Sequence, residues 1–121
     1  MAAREVVPEV QPVSPLFKAL GDPTRLRVVA LLAHGELCVC HIQDALALSQ
    51  PAVSRHLSVL RAAGVVEPHR AGSWVYYRLV RQADPGAERQ MRALVAAFRA
   101  KTGMKQELAR LMKVRGPGSC R

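Results

Sequence analysis

Ser49-Gln50-Pro51-Ala52-Val53-Ser54-Arg55-His56-Leu57-Ser58-Val59-Leu60-Arg61 reads as a helix whose two faces call for different surroundings. Ser49 can offer its hydroxyl to a free amide of the first turn, and Pro51 sits where a missing N–H does no harm. At about 100° per residue, Val53, His56, Leu57 and Leu60 fall together, flanked by Ala52, Val59 and Ala63. That face asks for a core. Gln50, Ser54, Ser58 and Arg61 gather on the other side, with Arg55 at their edge, and no Asp or Glu occurs anywhere in residues 49–66. An ordinary solvated helix face carries Glu and Lys. Gln can bind adenine and Arg can bind guanine through paired hydrogen bonds, while Ser is small enough to let a helix sink into the major groove. These side chains point to a DNA-reading face.

Working outward, residues 36–48 predict a helix with Ile42, Ala45 and Leu46 as its apolar positions, and Ala47-Leu48 as a short turn into Ser49. Two helices so joined, the second with a polar reading face, make a helix-turn-helix. Asp22-Pro23 opens a helix of about eleven residues, with Leu26, Val29, Ala30 and Ala33 at helical spacing and His34-Gly35 as its stop. Ser14-Pro15 gives the same opening signal for a short first helix, whose stripe Leu16, Phe17, Leu20 ends at Gly21. Past Gly64 the period becomes two. Residues 65–70 and 73–80 read as strands around a tight Ala71-Gly72 turn. His69, Arg70 and Arg78 make that hairpin basic, as in a wing laid along phosphates, although any one of them could be a solvated strand residue. Asp84-Pro85 begins a longer helix with Met91, Leu94, Val95 and Phe98 in register. A further apolar run, Met104, Leu108, Leu111 and Met112, follows Gly103. The expected fold is mainly α with a β-hairpin wing, a winged helix-turn-helix in the order ααααβ-βα(α). Residues 1–13 form a disordered arm, 14–101 the DNA-binding and dimerisation domain, and 102–121 a C-terminal helix and flexible tail carrying Cys120.

The composition agrees. With 121 residues, half of them hydrophobic, the chain makes one domain with a thin core, and 18 Lys and Arg against nine Asp and Glu leave +9 for a polyanionic partner. Neither a run of about 20 apolar residues nor a basic helix with bulky apolar residues is present, which argues against a membrane. The first fifteen residues, broken by Pro8, Pro12 and Pro15, hold no apolar signal segment. A cytoplasmic location is expected, where the three cysteines are reduced thiols. A small winged domain has little interior for two further apolar stripes, and a DNA reader gains a second half-site by pairing. A homodimer is therefore expected, with Leu16, Phe17 and Leu20 of the first helix and Met91, Leu94, Val95 and Phe98 of the Asp84 helix at its interface.

Four segments carry a family resemblance: Phe17-Lys18-Ala19-Leu20-Gly21-Asp22-Pro23-Thr24-Arg25-Leu26-Arg27, Glu36-Leu37-Cys38-Val39-Cys40, Ser49 to Leu57, and Trp74-Val75-Tyr76-Tyr77-Arg78-Leu79. In that order they resemble the ArsR/SmtB family of metal-sensing repressors, over about residues 15–100. The resemblance implies a dimeric winged helix-turn-helix repressor that holds double-stranded operator DNA until an inducer binds. Glu36-Leu37-Cys38-Val39-Cys40 is similar to the arsenite-sensing subgroup, which implies that Cys38 and Cys40 bind As(III) or Sb(III) as inducer. Soft thiolates do select thiophilic ions, although a lone Cys is as well read as a small buried hydrophobe. In a regular helix residues i and i+2 point about 200° apart, so binding both sulfurs to one ion implies a frayed helix start and a distortion passed on to the reading helix.

The family motif in its commonest form has a third cysteine where this chain has Gln43, which leaves the third ligand open between Cys120 and a solvent or buffer thiol. His41 replaces a family Asp and reads as structural or solvated. The zinc sensors of the family use His and acids on the last helix, and residues 84–101 contain no His. An alternative is a DNA-binding repressor sensing oxidants or reactive sulfur by pairing Cys38 or Cys40 with Cys120. Enzymatic thiol exchange finds no thioredoxin-like βαβ pattern and no nucleotide loop, so no catalytic residue or catalytic cofactor is expected, and no protein substrate.

Overall fold

The computed structural model describes residues 5–115. Its elements in chain order are α1 (Ser14–Leu20), α2 (Pro23–Leu32), β1 (Leu37–Cys38), α3 (Val39–Leu46), α4 (Gln50–Ala62), β2 (Val66–Ala71), β3 (Trp74–Leu79), α5 (Pro85–Arg99) and α6 (Thr102–Arg115). The three strands are antiparallel in the order β1-β3-β2.

Three helix starts follow from local chemistry. The Asp22 Oδ1 accepts the backbone N–H of Thr24 at 2.8 Å and of Arg25 at 3.0 Å. The Ser49 Oγ accepts Ala52 N–H at 3.3 Å, and Asp84 Oδ2 accepts Ala87 N–H at 2.9 Å. At the fourth start the cap is Val13 and Ser14 lies inside the helix. A turn over residues 11–13 brings the Val10 carbonyl to within 2.8 Å of Ser14 N–H, so the preceding backbone fills the role the hydroxyl was expected to play. Arg25 then ties α1 to α2, its Nε donating to the Ala19 carbonyl at 2.6 Å.

The core lies around α2, which touches α1, α3, α4, α5 and β3. The expected stripe was narrower than the buried surface: Val28, Val29, Ala30, Leu31 and Leu32 are all buried, as they must be when a helix is enclosed on nearly all sides. Val53, Leu57 and Leu60 bring α4 onto the same cluster, and Leu108 brings α6. Val59, expected beside the core stripe, is instead 43% exposed.

Two readings of the wing region are corrected. The helix expected from residue 36 begins only at Val39, because Leu37 and Cys38 form a strand against β3, with Leu37 opposite Tyr77 and Cys38 opposite Tyr76. The hairpin turn is Gly72-Ser73 and not Ala71-Gly72, since Ala71 pairs with Trp74. Gly72 holds φ +65 as the first central residue of that two-residue turn, the position at which such hairpins want glycine. Between α3 and α4, Ala47 itself adopts the left-handed conformation at φ 54, and the Leu48 N–H returns to the Gln43 carbonyl at 3.1 Å.

Candidate DNA interface and sulfur site

On α4, Gln50, Arg55, Ser58 and Arg61 are exposed and Ser54 is half-buried. Arg55, placed at the edge of the reading set by the wheel, thus stands in the open, and Ser54 is the one drawn inward. The helix start that carries Gln50 is fixed by the Ser49 cap.

The hairpin register sorts the wing cations onto two faces. Pro68 and Arg70 of β2 lie opposite Tyr77 and Val75 of β3, and with Arg61 of α4 these line an open cleft of about 530 Å³. Arg61 and Arg70 therefore converge where helix and wing meet. Glu67 and His69 alternate to the other face, opposite Arg78 and Tyr76. There Arg78 Nε donates to Glu67 Oε1 at 2.8 Å and Arg78 Nη1 to Glu36 Oε1 at 3.3 Å, while His69 Nδ1 lies 3.0 Å from Glu36 Oε2. The hydrogen bond from His69, then that from Arg78, holds the Glu36 carboxyl below the usual carboxylate range. Glu67, then Glu36, raises the affinity of Arg78 for its proton. His69, Arg70 and Arg78 were expected to act together, but only Arg70 shares a face with α4.

Sequence reading missed Glu36 and Glu67 as partners of the wing. A turn centred on Ala71-Gly72 would set Glu67 opposite Tyr76; centring it on Gly72-Ser73 sets Glu67 opposite Arg78. Glu36 lies 33 and 42 residues from its partners, and no local pattern reports such a distance.

The two motif cysteines are gathered. Cys38 is extended, at φ −70 and ψ 151, as the cap of α3, and Cys40 is the second residue of the helix. That change of backbone at residue 38 removes the 200° separation of a regular helix, and the two Sγ atoms stand 3.7 Å apart. Both residues are buried, at 3% and 4% exposure, against Trp74 and Tyr76. They line an open cleft of about 590 Å³ with Gln43, Gln50 and the wing residues Ser73 and Trp74. The sulfurs thus face a space walled on one side by the first turn of α4 and on the other by the wing turn. Among the described residues no three His, Cys, Asp or Glu side chains gather as a metal cluster, and His41 is fully buried in α3. Cys120 lies outside the described residues.

Helices α1 and α5 form a separate open groove of about 340 Å³, lined by Leu16, Phe17, Leu20, Met91 and Leu94 among others. Leu16, Leu20 and Met91 are already buried within the chain, Phe17 is 53% exposed, and Leu94, Val95 and Phe98 are partly buried.

Residues 22–67 match the family model described as "Bacterial regulatory protein, arsR family". The chain belongs to the ArsR/SmtB family. Over 83 residues, 68% of the chain, it is 47% identical to the arsenic resistance transcriptional regulator ArsR1 of Pseudomonas putida. Over 65 residues, 53% of the chain, it is 54% identical to the arsenical resistance operon repressor of Escherichia coli. It spans 65% of the length of the first relative and 56% of the second. Among solved structures it is similar to the homodimeric winged helix-turn-helix DNA-binding domain of Mb0332 from Mycobacterium bovis, described as a possible ArsR-family regulator. There the TM-score is 0.60 and the identity 32%, covering 77% of this chain and 82% of that one. The ArsR/SmtB motif residues therefore sit on the expected frame, with β1 added to it. Among the described residues no helix is long and apolar enough to cross a membrane.

Proposed function

We propose that this chain is a dimeric, cytoplasmic, DNA-binding repressor of arsenic-resistance genes, released from its operator when As(III) or Sb(III) binds Cys38 and Cys40. The observation that carries this reading is the sulfur pair at 3.7 Å in a cleft bounded by both DNA-gripping elements. With ion–sulfur bonds of about 2.3 Å, angles of roughly 90–109° at the ion place two sulfurs about 3.3–3.8 Å apart. The residues present therefore fit a thiophilic ion with little movement.

This changes the route of induction. Helix α3 has no need to unwind for both sulfurs to reach one ion. Gln50 and Ser73 wall the cleft instead, so an occupied site takes space between the reading helix and the wing, whose spacing must be kept to grip groove and backbone together. Gln43 leaves the third position without a local thiolate, and Cys120 or a solvent or buffer thiol is proposed to fill it. The DNA contacts are assigned to Gln50, Ser54, Arg55, Ser58, Arg61 and Arg70, with His69 and Arg78 held in the ion pairs of the opposite wing face. The names of the P. putida and E. coli relatives support an arsenic-resistance role.

The test is a gel shift on the DNA upstream of this gene, titrated with arsenite, antimonite, zinc and peroxide, for the wild type and for C38S, C40S and C120S. Arsenite and antimonite should release the wild type, and C38S and C40S should stay bound. Release by peroxide alone would favour the oxidant sensor, and release of C38S and C40S by arsenite would overturn the assigned site.

A further inference from the structure

We propose that Glu36 is the positioning residue that couples the sulfur site to the wing. It stands two residues before Cys38, at the entry to β1. Its carboxylate is shared between His69 of β2, at 3.0 Å, and Arg78 of β3, at 3.3 Å. Because β3 lies between β1 and β2, the contact with His69 reaches across the middle strand to the far edge of the sheet. Arg78 passes the link on to Glu67 at 2.8 Å. The backbone pairing of β1 with β3 is only two residues long, so side-chain contacts carry much of the link between this strand and the wing.

Two physical arguments separate this role from ordinary surface charge. Exposed ion pairs add little to stability, and those of Glu36 are more than a third exposed on both sides, so fold stability does not account for them. An acid beside a DNA-binding wing also opposes a polyanion, and in a chain of net charge +9 it weakens the hold on such a partner. A carboxylate that joins the sensing strand to both wing strands gains a function from that position: a shift of Cys38 moves the groups that fix the wing.

The inference rests on Cys38 and Cys40 being the inducer site, and its test keeps the two apart. Wild type, Glu36→Gln and Glu36→Asp are measured for arsenite binding by equilibrium dialysis, and for binding to upstream and random DNA by fluorescence anisotropy with and without arsenite. Wild type should lose operator affinity within the range of about 5- to 150-fold typical of allosteric coupling. Glu36→Gln should bind arsenite as the wild type does and should hold operator and random DNA somewhat more tightly, yet lose no more than about a third of that factor on arsenite, and Glu36→Asp should recover part of the response. An unchanged arsenite response in Glu36→Gln would overturn the proposal, as would tighter binding to operator and random DNA alike with that response intact. A wild type that binds no arsenite, or binds it without release, would bring down the inducer reading and this coupling with it.

Discussion

In the proposed DNA complex, Arg55 and Arg70 divide the work of holding DNA between them. Arg55 stands exposed on α4, where a guanidinium can meet a base edge, whereas Arg70 shares a cleft with Arg61 at the junction of helix and wing, the proposed path of the phosphates. Arg55→Ala should cost roughly 1–3 kcal/mol on the operator and relax sequence preference. Arg70→Ala should weaken operator and random DNA alike and lower the salt slope by about one. Anisotropy titrations on both DNAs across a salt series check this; equal losses for Arg55→Ala on the two DNAs would show that it touches only phosphate. The exposed polar face of α4 was legible in the sequence because helical period and absence of acids are local properties of residues 49–66. The pairing of Arg78 with Glu67 was not, because it depends on a register that one misplaced turn residue changes.

At the scale of elements, the helix starts at Asp22, Ser49 and Asp84 were readable because a capping side chain followed by proline acts within one turn. Ser14 shows the limit, since the carbonyl of Val10 meets its amide and the same signal shifts by one residue. Strand β1 was hidden because two residues have no period, and hiding it also hid the closeness of the sulfurs. The Asp22 cap makes a further prediction. Hydrogen bonding from the Arg25 amide, joined by that of Thr24, holds its carboxyl below the usual range. A carboxyl depressed in the folded state stabilises above its unfolded value, near 3.8, and that stability is lost as pH falls through the folded value. Glu36 and Glu88 are shifted in the same direction. The melting temperature should fall as pH drops below about 4, and Asp22→Asn, which keeps a cap without the charge, should flatten that fall. Thermal melts from pH 7 to pH 3 would show it, and parallel curves for the two proteins would contradict it.

For the whole molecule, the α1–α5 groove and the exposed Phe17 are where the proposed dimer seats its second copy. Phe17→Glu should leave the core intact, because Leu16 and Leu20 supply the buried contacts of α1. It should yield a monomer by sedimentation and reduce operator affinity on the order of a hundredfold through loss of the second half-site. A variant that remains dimeric with unchanged affinity would move the interface elsewhere. The α1–α5 groove was foreseeable from apolar stripes in excess of what one small core can use, but the division between buried Met91 and partly buried Leu94 required the packed chain.

The central claim is that a thiophilic ion seats between Cys38 and Cys40 and thereby loosens the grip of α4 and the wing. X-ray absorption at the arsenic edge, on protein carrying one equivalent of arsenite, tests it most directly. A sulfur shell that loses one neighbour in C38S and one in C40S is the predicted result; an oxygen-only shell, or a sulfur shell that neither substitution alters, would contradict it.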